Sequence, residues 1–262
     1  VMKLAKENGI KVLLDGQGAD EIFGGYKIFG GIYLIELLLS LRFRKFFIEY
    51  FALSKNMTPD IINTILRAGF YYLPDFLSKF IYTHQRSKLK IISPEFEEQL
   101  VNINLPERGG KSIKELSFSS IKYGLRELLR YEDRNSMAFS IESRVPFLDH
   151  RLVEFIIGLN DDLKINNGWT KFILRKSMQN ILPVEITWRK GKLGFVTPQD
   201  QWLRDNKYTI NDYLMNSNIP PLLDRKQIYS MLTNLERGKK STNDILRILS
   251  FVKWAELFNV SF

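Results

Sequence analysis

The sequence predicts an α/β fold with a parallel sheet, in which most of this chain is α-helical. Three features of the sequence support this prediction. Residues 10–14 form a short, nearly continuous apolar run, which is typical of a strand buried on both faces of a parallel sheet. Two spaced glycines follow, and a segment with helical spacing begins at Ala19. Because most later apolar residues also repeat at helical spacing, we expect a mostly α-helical chain with one strand, which closes the sheet.

The turn after this strand carries two adjacent carboxylates, Asp20 and Glu21, behind Gly16 and Gly18. Ligands of open parallel sheets collect at the carboxyl ends of strands, and a helix N-terminus there attracts anions. Two carboxylates would repel a phosphate unless a hard cation lay between them, and Mg²⁺ binds in this way. The segment therefore predicts a Mg²⁺-phosphate site. The alternative is that both acids only stabilise the first helical turn.

The spacing of this turn fails the common nucleotide-binding templates. It lacks the third glycine of a dinucleotide fingerprint and the Gly-Lys-Ser/Thr of a P-loop, and its acids are not spaced as in an EF-hand. The turn alone therefore does not define a known class of site.

Composition excludes several function classes. The 262 residues carry a net charge of +9, but Lys and Arg are scattered among Asp and Glu and form no basic tail. Cysteine is absent, which excludes disulfides, thiolate metal sites and a cysteine nucleophile within this chain. Its absence is compatible with a reducing compartment.

Helical periodicity organises most of the remaining chain. Residues 28–53 predict one or two buried helices, because charges interrupt the run before it reaches the ~20 residues of a membrane span. The basic and aromatic residues at 42–47 leave a membrane-surface role as an alternative. Further helices are predicted from capping and periodicity after Thr58, after Ser112, from Thr170 to residue 181, and near 199–206, 224–236 and 242–257.

A row of four cations recurs every four residues along the helix after Ser112: Lys122, Arg126, Arg130 and Arg134. A solvated face is the default interpretation of such a row. Two alternatives stay open: its end at Arg134 could face an anionic ligand, or the row could bind nucleic acid.

Two other residues draw attention. His150 lies between an acid and an arginine, and without a nucleophile motif we interpret it as a helix-start residue. Lys190 and Lys192 lie in a loop with two glycines, and such a loop either stays in solvent or closes over phosphates.

Three motifs, in order, resemble the synthetase domain of glutamine-dependent asparagine synthetases. They are DGQGADEIFGGY at 15–26, LLRYEDRNSMAFSIESRVPFLDHR at 128–151 and LPVEITWRKGKLGF at 182–195. The resemblance implies an adenine nucleotide α-hydrolase-like fold, with residues 1–262 as the C-terminal part of the synthetase domain. It further implies that ATP with Mg²⁺ adenylates aspartate and that ammonia from glutamine displaces AMP.

The resemblance also implies what this chain lacks. The family's glutaminase half uses an N-terminal cysteine, and its pyrophosphate loop reads Ser-Gly-Gly-x-Asp-Ser; neither occurs in this sequence. We therefore expect the remaining strands of the sheet, and this loop, to lie upstream, and this chain alone to be inactive and unable to hydrolyse glutamine.

By resemblance, roles fall on individual residues of the three motifs. Lys192 aligns with the catalytic lysine, and Asp20 and Glu21 are the expected Mg²⁺ ligands. Asp15, Gly16 and Tyr26 are expected to contact ATP, with Gln17 and Arg134 as further catalytic candidates and Glu142 and Arg144 as supporting residues. Gln17 departs from the glutamate that these enzymes commonly carry, and an amide cannot act as a base at neutral pH. The acceptor carboxylate therefore stays open between aspartate and another acid.

The expected partners are small molecules: the carboxylate substrate and ammonia from glutamine. We expect no nucleic acid and no membrane, a possible homodimer of the full-length protein, and a cytoplasmic location. Two rival functions remain from other classes, a basic nucleic-acid-binding module and a non-catalytic helical interaction domain.

Overall fold

The computed structural model describes residues 1–56, 60–74, 77, 91–93, 95–96, 109–190, 197–236 and 242–260. The chain divides into two compact units, one of residues 1–78 and 106–192 and one of residues 79–105 and 193–262. The predicted catalytic Lys192 and the predicted helix start at Thr58 lie outside the described residues.

A two-stranded parallel sheet lies in the first unit. Helix α1 (Met2–Glu7) ends before Gly9, and strand β1 (Val12–Leu14) pairs in parallel with β2 (Glu142–Arg144), Leu13 opposite Ser143. The prediction of a single strand was therefore wrong. The second strand forms because the preceding helix has ended and the residue before Pro146 is kept out of helical geometry, which leaves 141–145 extended.

The prediction that β1 is buried on both faces was also wrong. Val12 is 39 % exposed and Leu14 is 72 % exposed. Among the described residues β1 pairs with β2 alone. The first and last residues of both strands are exposed, so the face that they share is largely uncovered. The apolar run thus predicted the strand correctly but not its burial.

Helices form the core of the first unit. The predicted run 28–53 forms two helices. The first of them packs closely against helix α5 (Ile61–Gly69). Glycine at position 31 permits this approach, because a side chain there would meet the backbone of Thr64. The second helix is only partly buried: it buries Glu49 and Leu53, and Phe47 and Phe51 face outward. The bounds of these elements are α2 (Ala19–Phe23), α3 (Lys27–Leu39), α4 (Phe43–Asn56) and α5 (Ile61–Gly69).

By length and composition, Ala19–Leu39 could cross a membrane, a test that a core helix also passes. In the structure more than half of its most apolar window is buried. Phe29, Ile32 and Leu34 are completely buried within the first unit's core.

The helix predicted after Ser112 contains a π-helical stretch. Helix α6 (Ile113–Ser119) is capped by the Ser112 hydroxyl, which accepts from the amide of Glu115. A π-helical stretch (Ser120–Leu125) then leads into α7 (Arg126–Met137). The inserted residue of a π turn shifts the helix face, so Leu128, expected on the apolar side, is 41 % exposed. The four cations of the predicted row are exposed, as a solvated face requires.

A β-hairpin separates the next helices and corrects the prediction for Thr170. Strands β3 (Ile165–Asn166) and β4 (Trp169–Thr170) pair through a turn in which Asn167 and Gly168 have positive φ. Thr170 therefore ends a strand, and the following helix begins one residue beyond Lys171 without a side-chain cap. The helices here are α8 (His150–Gly158), α9 (Asp161–Lys164), α10 (Phe172–Met178) and α11 (Val184–Thr187).

The second unit is helical where the structure describes it. The three predicted helices are confirmed, and one further helix, α13, was not predicted. Their shared core includes Leu214, Ile228, Ile245 and Val252. The bounds are α12 (Gln199–Asp205), α13 (Lys207–Asn216), α14 (Arg225–Glu236) and α15 (Thr242–Leu257).

Candidate active site

The candidate site begins where β1 ends. The amide of Asp15 donates to the carbonyl of Arg144 at 2.8 Å, which extends the sheet ladder by one residue. The Ser143 hydroxyl donates to the Asp15 carboxylate, so β2 also fixes the side chain. Two strands far apart in sequence therefore hold Asp15 at the carboxyl edge of the sheet, where ligands of such sheets collect.

A second carboxyl group meets Asp15 from α7. Burial raises the pKa of Glu132, and the neighbouring charge of Asp15 and a hydrogen bond to it raise that pKa further. One oxygen of Glu132 is buried with no hydrogen-bond partner in the described part of the chain. Glu132 therefore adds a second carboxyl group beside Asp15 at this edge of the sheet.

Two glycines let the turn pack tightly. Gly18 has φ +91°, and a side chain there would collide with Leu148. Gly25, at the end of the turn, lies so close to Asp20 and Lys171 that a Cβ atom would overlap both. The DGQGADEIFGGY spacing thus has a steric reason at these two positions.

Asp20 pairs with a cation from the hairpin. The Lys171 Nζ lies 3.0 Å from Asp20 Oδ1, and the two side chains are 25 % and 23 % exposed. Lys171 adopts a left-handed backbone, φ 53°, between β4 and α10. An ion pair that keeps this much solvent access can admit an anionic ligand or a metal ion beside it.

Glu21 has different surroundings from its neighbour. It is buried, 3 % exposed, and accepts a hydrogen bond of 2.6 Å from the Tyr26 hydroxyl. Burial, followed by the hydrogen bond to Glu21, raises the pKa of Tyr26. Adjacent helical positions point in different directions, so only Asp20 of the two acids opens toward solvent.

The other predicted site residues take separate positions. Arg134 is exposed on α7, and Gln17 is partly buried in the turn. Glu142 and Arg144 pair with each other at 2.8 Å on exposed parts of β2, and the hydrogen bond from Arg144 lowers the pKa of Glu142. Glu21 and Tyr26 are in contact, and Asp15 and Asp20 lie on either side of the turn between β1 and α2.

Sequence reasoning missed Lys171, Glu132 and Ser143. Glu132 and Ser143 lie inside the second motif, but nothing in their spacing marks a contact with Asp15. Lys171 lies outside all three motifs, and its contact with Asp20 joins residues about 150 positions apart. Only the tertiary fold reveals these partners.

The residues present fit a magnesium ion in one respect. The described residues contain no group of three or more Asp, Glu, His or Cys side chains able to hold a metal. Mg²⁺, however, commonly binds through one or two carboxylates together with substrate phosphates and water. Asp20 is accessible enough for this, whereas Glu21 could serve only if it released Tyr26.

The architecture is that of an α/β ligand site: strand, glycine turn and helix at the carboxyl edge of a parallel sheet. The Asparagine synthase family model matches residues 1–256, and the chain belongs to this family. The expectation drawn from the three motifs is confirmed at this level.

Several characterised relatives cover most of the chain. Asparagine synthetase [glutamine-hydrolyzing] 1 of Bacillus subtilis (strain 168) is 30 % identical over 97 % of this chain and 41 % of its own length. Asparagine synthetase 3 of the same bacterium is 29 % identical over 84 % of this chain and 32 % of its own length. The enzyme of Gallus gallus is 28 % identical over 70 % of this chain and 33 % of its own length. The chain thus spans less than half of these relatives.

Proposed function

We propose that this chain is the C-terminal part of the synthetase domain of a glutamine-dependent asparagine synthetase. The observation that carries the proposal is the accessible Asp20–Lys171 pair at the carboxyl edge of the β1–β2 sheet, in a chain of the asparagine synthase family. On this proposal the domain has the adenine nucleotide α-hydrolase-like architecture, whose other strands lie elsewhere in the protein.

The proposed chemistry activates a carboxylate, which is otherwise a poor electrophile. A side-chain oxygen of aspartate attacks the α-phosphorus of ATP, and pyrophosphate leaves. Ammonia released from glutamine then attacks the activated carbonyl, AMP leaves, and one proton is lost to give the amide. The protein must therefore bind an anion of high charge and stabilise its departure.

Side chains of the turn suit these tasks. When bound, Mg²⁺ would neutralise pyrophosphate charge, and Asp20 is its proposed ligand, with Glu21 held behind it by Tyr26. Lys171 adds a cation at the same place. Asp15, Gly16 and Tyr26 are the proposed ATP contacts, while Arg134, Glu142 and Arg144 stay supporting candidates.

The identity of the acceptor rests on Gln17. Its neutral amide can donate and accept hydrogen bonds but cannot remove a proton. A carboxylate acceptor is therefore the broader proposal and aspartate the specific one. Amide formation with a panel of amino dicarboxylates, followed by mass spectrometry, would separate the two.

The turn is tested in the full-length protein by pyrophosphate release at limiting Mg²⁺. Asp20→Asn should raise the Mg²⁺ concentration needed for half-maximal activity, because one ligand charge is lost. Asp212→Asn, on exposed α13, is the matched control and should change nothing. Normal Mg²⁺ dependence of Asp20→Asn would remove the metal assignment.

The predicted lysine is tested by two neighbouring substitutions. Lys192→Ala should lower turnover by about 10²- to 10³-fold, the effect of removing one preorganised charge from a transition state. Lys190→Ala should stay within a few-fold of wild type, because a solvated charge is not positioned. Equal, small effects at both lysines would leave this chain without a catalytic lysine in that loop.

Residues 1–262 alone should show no exchange between ATP and labelled pyrophosphate, because the expected pyrophosphate loop is not in this sequence. The cytoplasmic location, the homodimer and the absence of nucleic-acid and membrane partners stay predictions for the whole protein.

A further inference from the structure

Arg175 joins the segment that carries Lys171 to the segment that carries Arg189. Its Nε donates to the carbonyl of Thr170 at 2.9 Å, directly before Lys171. Its Nη1 donates to the carbonyl of Thr187 at 2.6 Å and more weakly to that of Arg189 at 3.4 Å. Each described hydrogen bond of this guanidinium therefore ends on a main-chain oxygen, not on a carboxylate.

An aromatic ring lies over the guanidinium. Its central carbon lies 5.0 Å from the centre of the Trp169 ring, and Trp169 packs edge-on against Trp188 at 5.3 Å. Burial lowers the pKa of Arg175, as expected for a cation covered by a ring. A planar fork that stacks and binds several carbonyls at once is a geometry that lysine cannot reproduce.

The contacts of Arg175 lie next to a residue with a strained backbone, Lys171. Lys171 is not glycine yet has φ 53°, a conformation that surrounding contacts must hold in place. The Arg175 side chain fixes the carbonyl directly before Lys171. The main-chain amide of residue 175 also donates to the Lys171 carbonyl at 3.0 Å, but this is a helical bond that any residue except proline makes there. The guanidinium therefore holds the peptide before Lys171, while the lysine side chain reaches Asp20.

We propose that Arg175 is a positioning residue, which holds Lys171 in the orientation that meets Asp20 and ties it to the chain at 187–189. Arg175 acts through Lys171 and does not contact the reacting atoms. The expected loss of kcat/KM rests on the proposed function, whereas the expected loosening of the backbone around Lys171 does not.

The test uses Arg175→Lys in the full-length protein, with Lys176→Ala on the exposed face of the same helix as control. Misplacing a catalytic group by about 1 Å can cost ~10²-fold, so we expect kcat/KM for ATP to fall by about 10- to 100-fold in Arg175→Lys. Lys176→Ala should stay within about twofold, in line with an exposed residue away from the contacts.

A double-mutant cycle separates positioning from a general structural role. If Arg175 acts through Lys171, Arg175→Lys added to Lys171→Ala should cost little beyond Lys171→Ala alone. Additive losses would overturn the proposal. This cycle needs an active wild-type enzyme, so a wild type without amide formation would count against the proposed function instead.

Hydrogen exchange gives the readout that does not depend on activity. In Arg175→Lys, exchange should rise in peptides covering 169–172 and 187–190 and stay unchanged in α3 and α5. No change at 169–172 would overturn the proposal. A rise spread over the whole unit would also overturn it, because it would show that Arg175 maintains the fold and not the orientation of Lys171.

Discussion

Two lysines seven residues apart pair with carboxylates in opposite ways. Lys164 is completely buried, with Nζ 3.8 Å from Asp161 and 3.3 Å from the carbonyl of Ile157. Lys171 is 25 % exposed and lies 3.0 Å from Asp20. In the longer pair the lysine is completely buried and Asp161 is 33 % exposed, whereas in the shorter pair both side chains keep partial solvent access. The burial of the cation, more than the distance, distinguishes an ion pair of the fold from one of the site.

The Lys164–Asp161 pair belongs to a wider network of titratable groups. Burial lowers the pKa of Lys164 and raises that of Asp161. Burial also raises the pKa of Glu36 on α3 to about 7, with the Asp161 carboxylate adding to the shift, although an amide hydrogen bond from Ile113 opposes it. The network links α3, α6 and α9, so its energetics concern folding.

Substitution of Lys164 tests the difference between the two ion pairs most directly. Lys164→Ala should lower the free energy of unfolding by about 3 kcal/mol, because a completely buried side chain is truncated and the partly buried Asp161 and Glu36 lose their cation. Urea denaturation of the full-length protein measures this, with Lys176→Ala as the exposed control, expected within about 0.5 kcal/mol of wild type. A similar small loss at both lysines would show that Lys164 is not paired in solution.

Lys171→Ala should give the reverse result. An ion pair this exposed is worth less than about 1 kcal/mol, so the unfolding midpoint should hardly move. Turnover should nevertheless fall by about tenfold or more, since a positioned cation is lost from the site. Pyrophosphate release and urea denaturation on the same preparations decide the case. If stability falls as far as in Lys164→Ala, the distinction between the two pairs is wrong.

Local signals predicted much of this molecule. The turn from Asp15 to Tyr26 followed from glycine spacing, and the helices of both units from apolar periodicity, because these features depend on neighbours in sequence. The three motifs predicted the family, which the match over residues 1–256 confirms. The site's strand, turn and acids were therefore accessible from the sequence.

Long-range pairing was not accessible in the same way. Glu142 and Arg144 were expected only as supporting residues, yet they begin and end a three-residue strand that pairs with β1, about 130 positions away. The π-helical stretch shifted Leu128 outward, and the left-handed backbone of Lys171 placed a cation on Asp20. Each depends on tertiary contacts that override local preference.

The smallest expected effect concerns Glu36 and the pH dependence of the free energy of unfolding. Its folded pKa of about 7 exceeds the ordinary value of 4.5, so the folded state binds more protons than the unfolded state between these values. Its contribution to stability is present at low pH and is lost as pH rises from about 4.5 to 7.

Glu36→Gln should remove this dependence, because an amide can still accept from Ile113 but does not titrate. The variant should gain about 1 to 2 kcal/mol on wild type between pH 4.5 and pH 7, less than the full shift because Glu36 is partly accessible to solvent. Urea denaturation at half-unit pH steps measures the difference curve, and Glu127→Gln on exposed α7 provides the control. A flat difference curve would mean that Glu36 titrates as an ordinary surface acid, and that the network around Lys164 is as open to water as the Asp20–Lys171 pair.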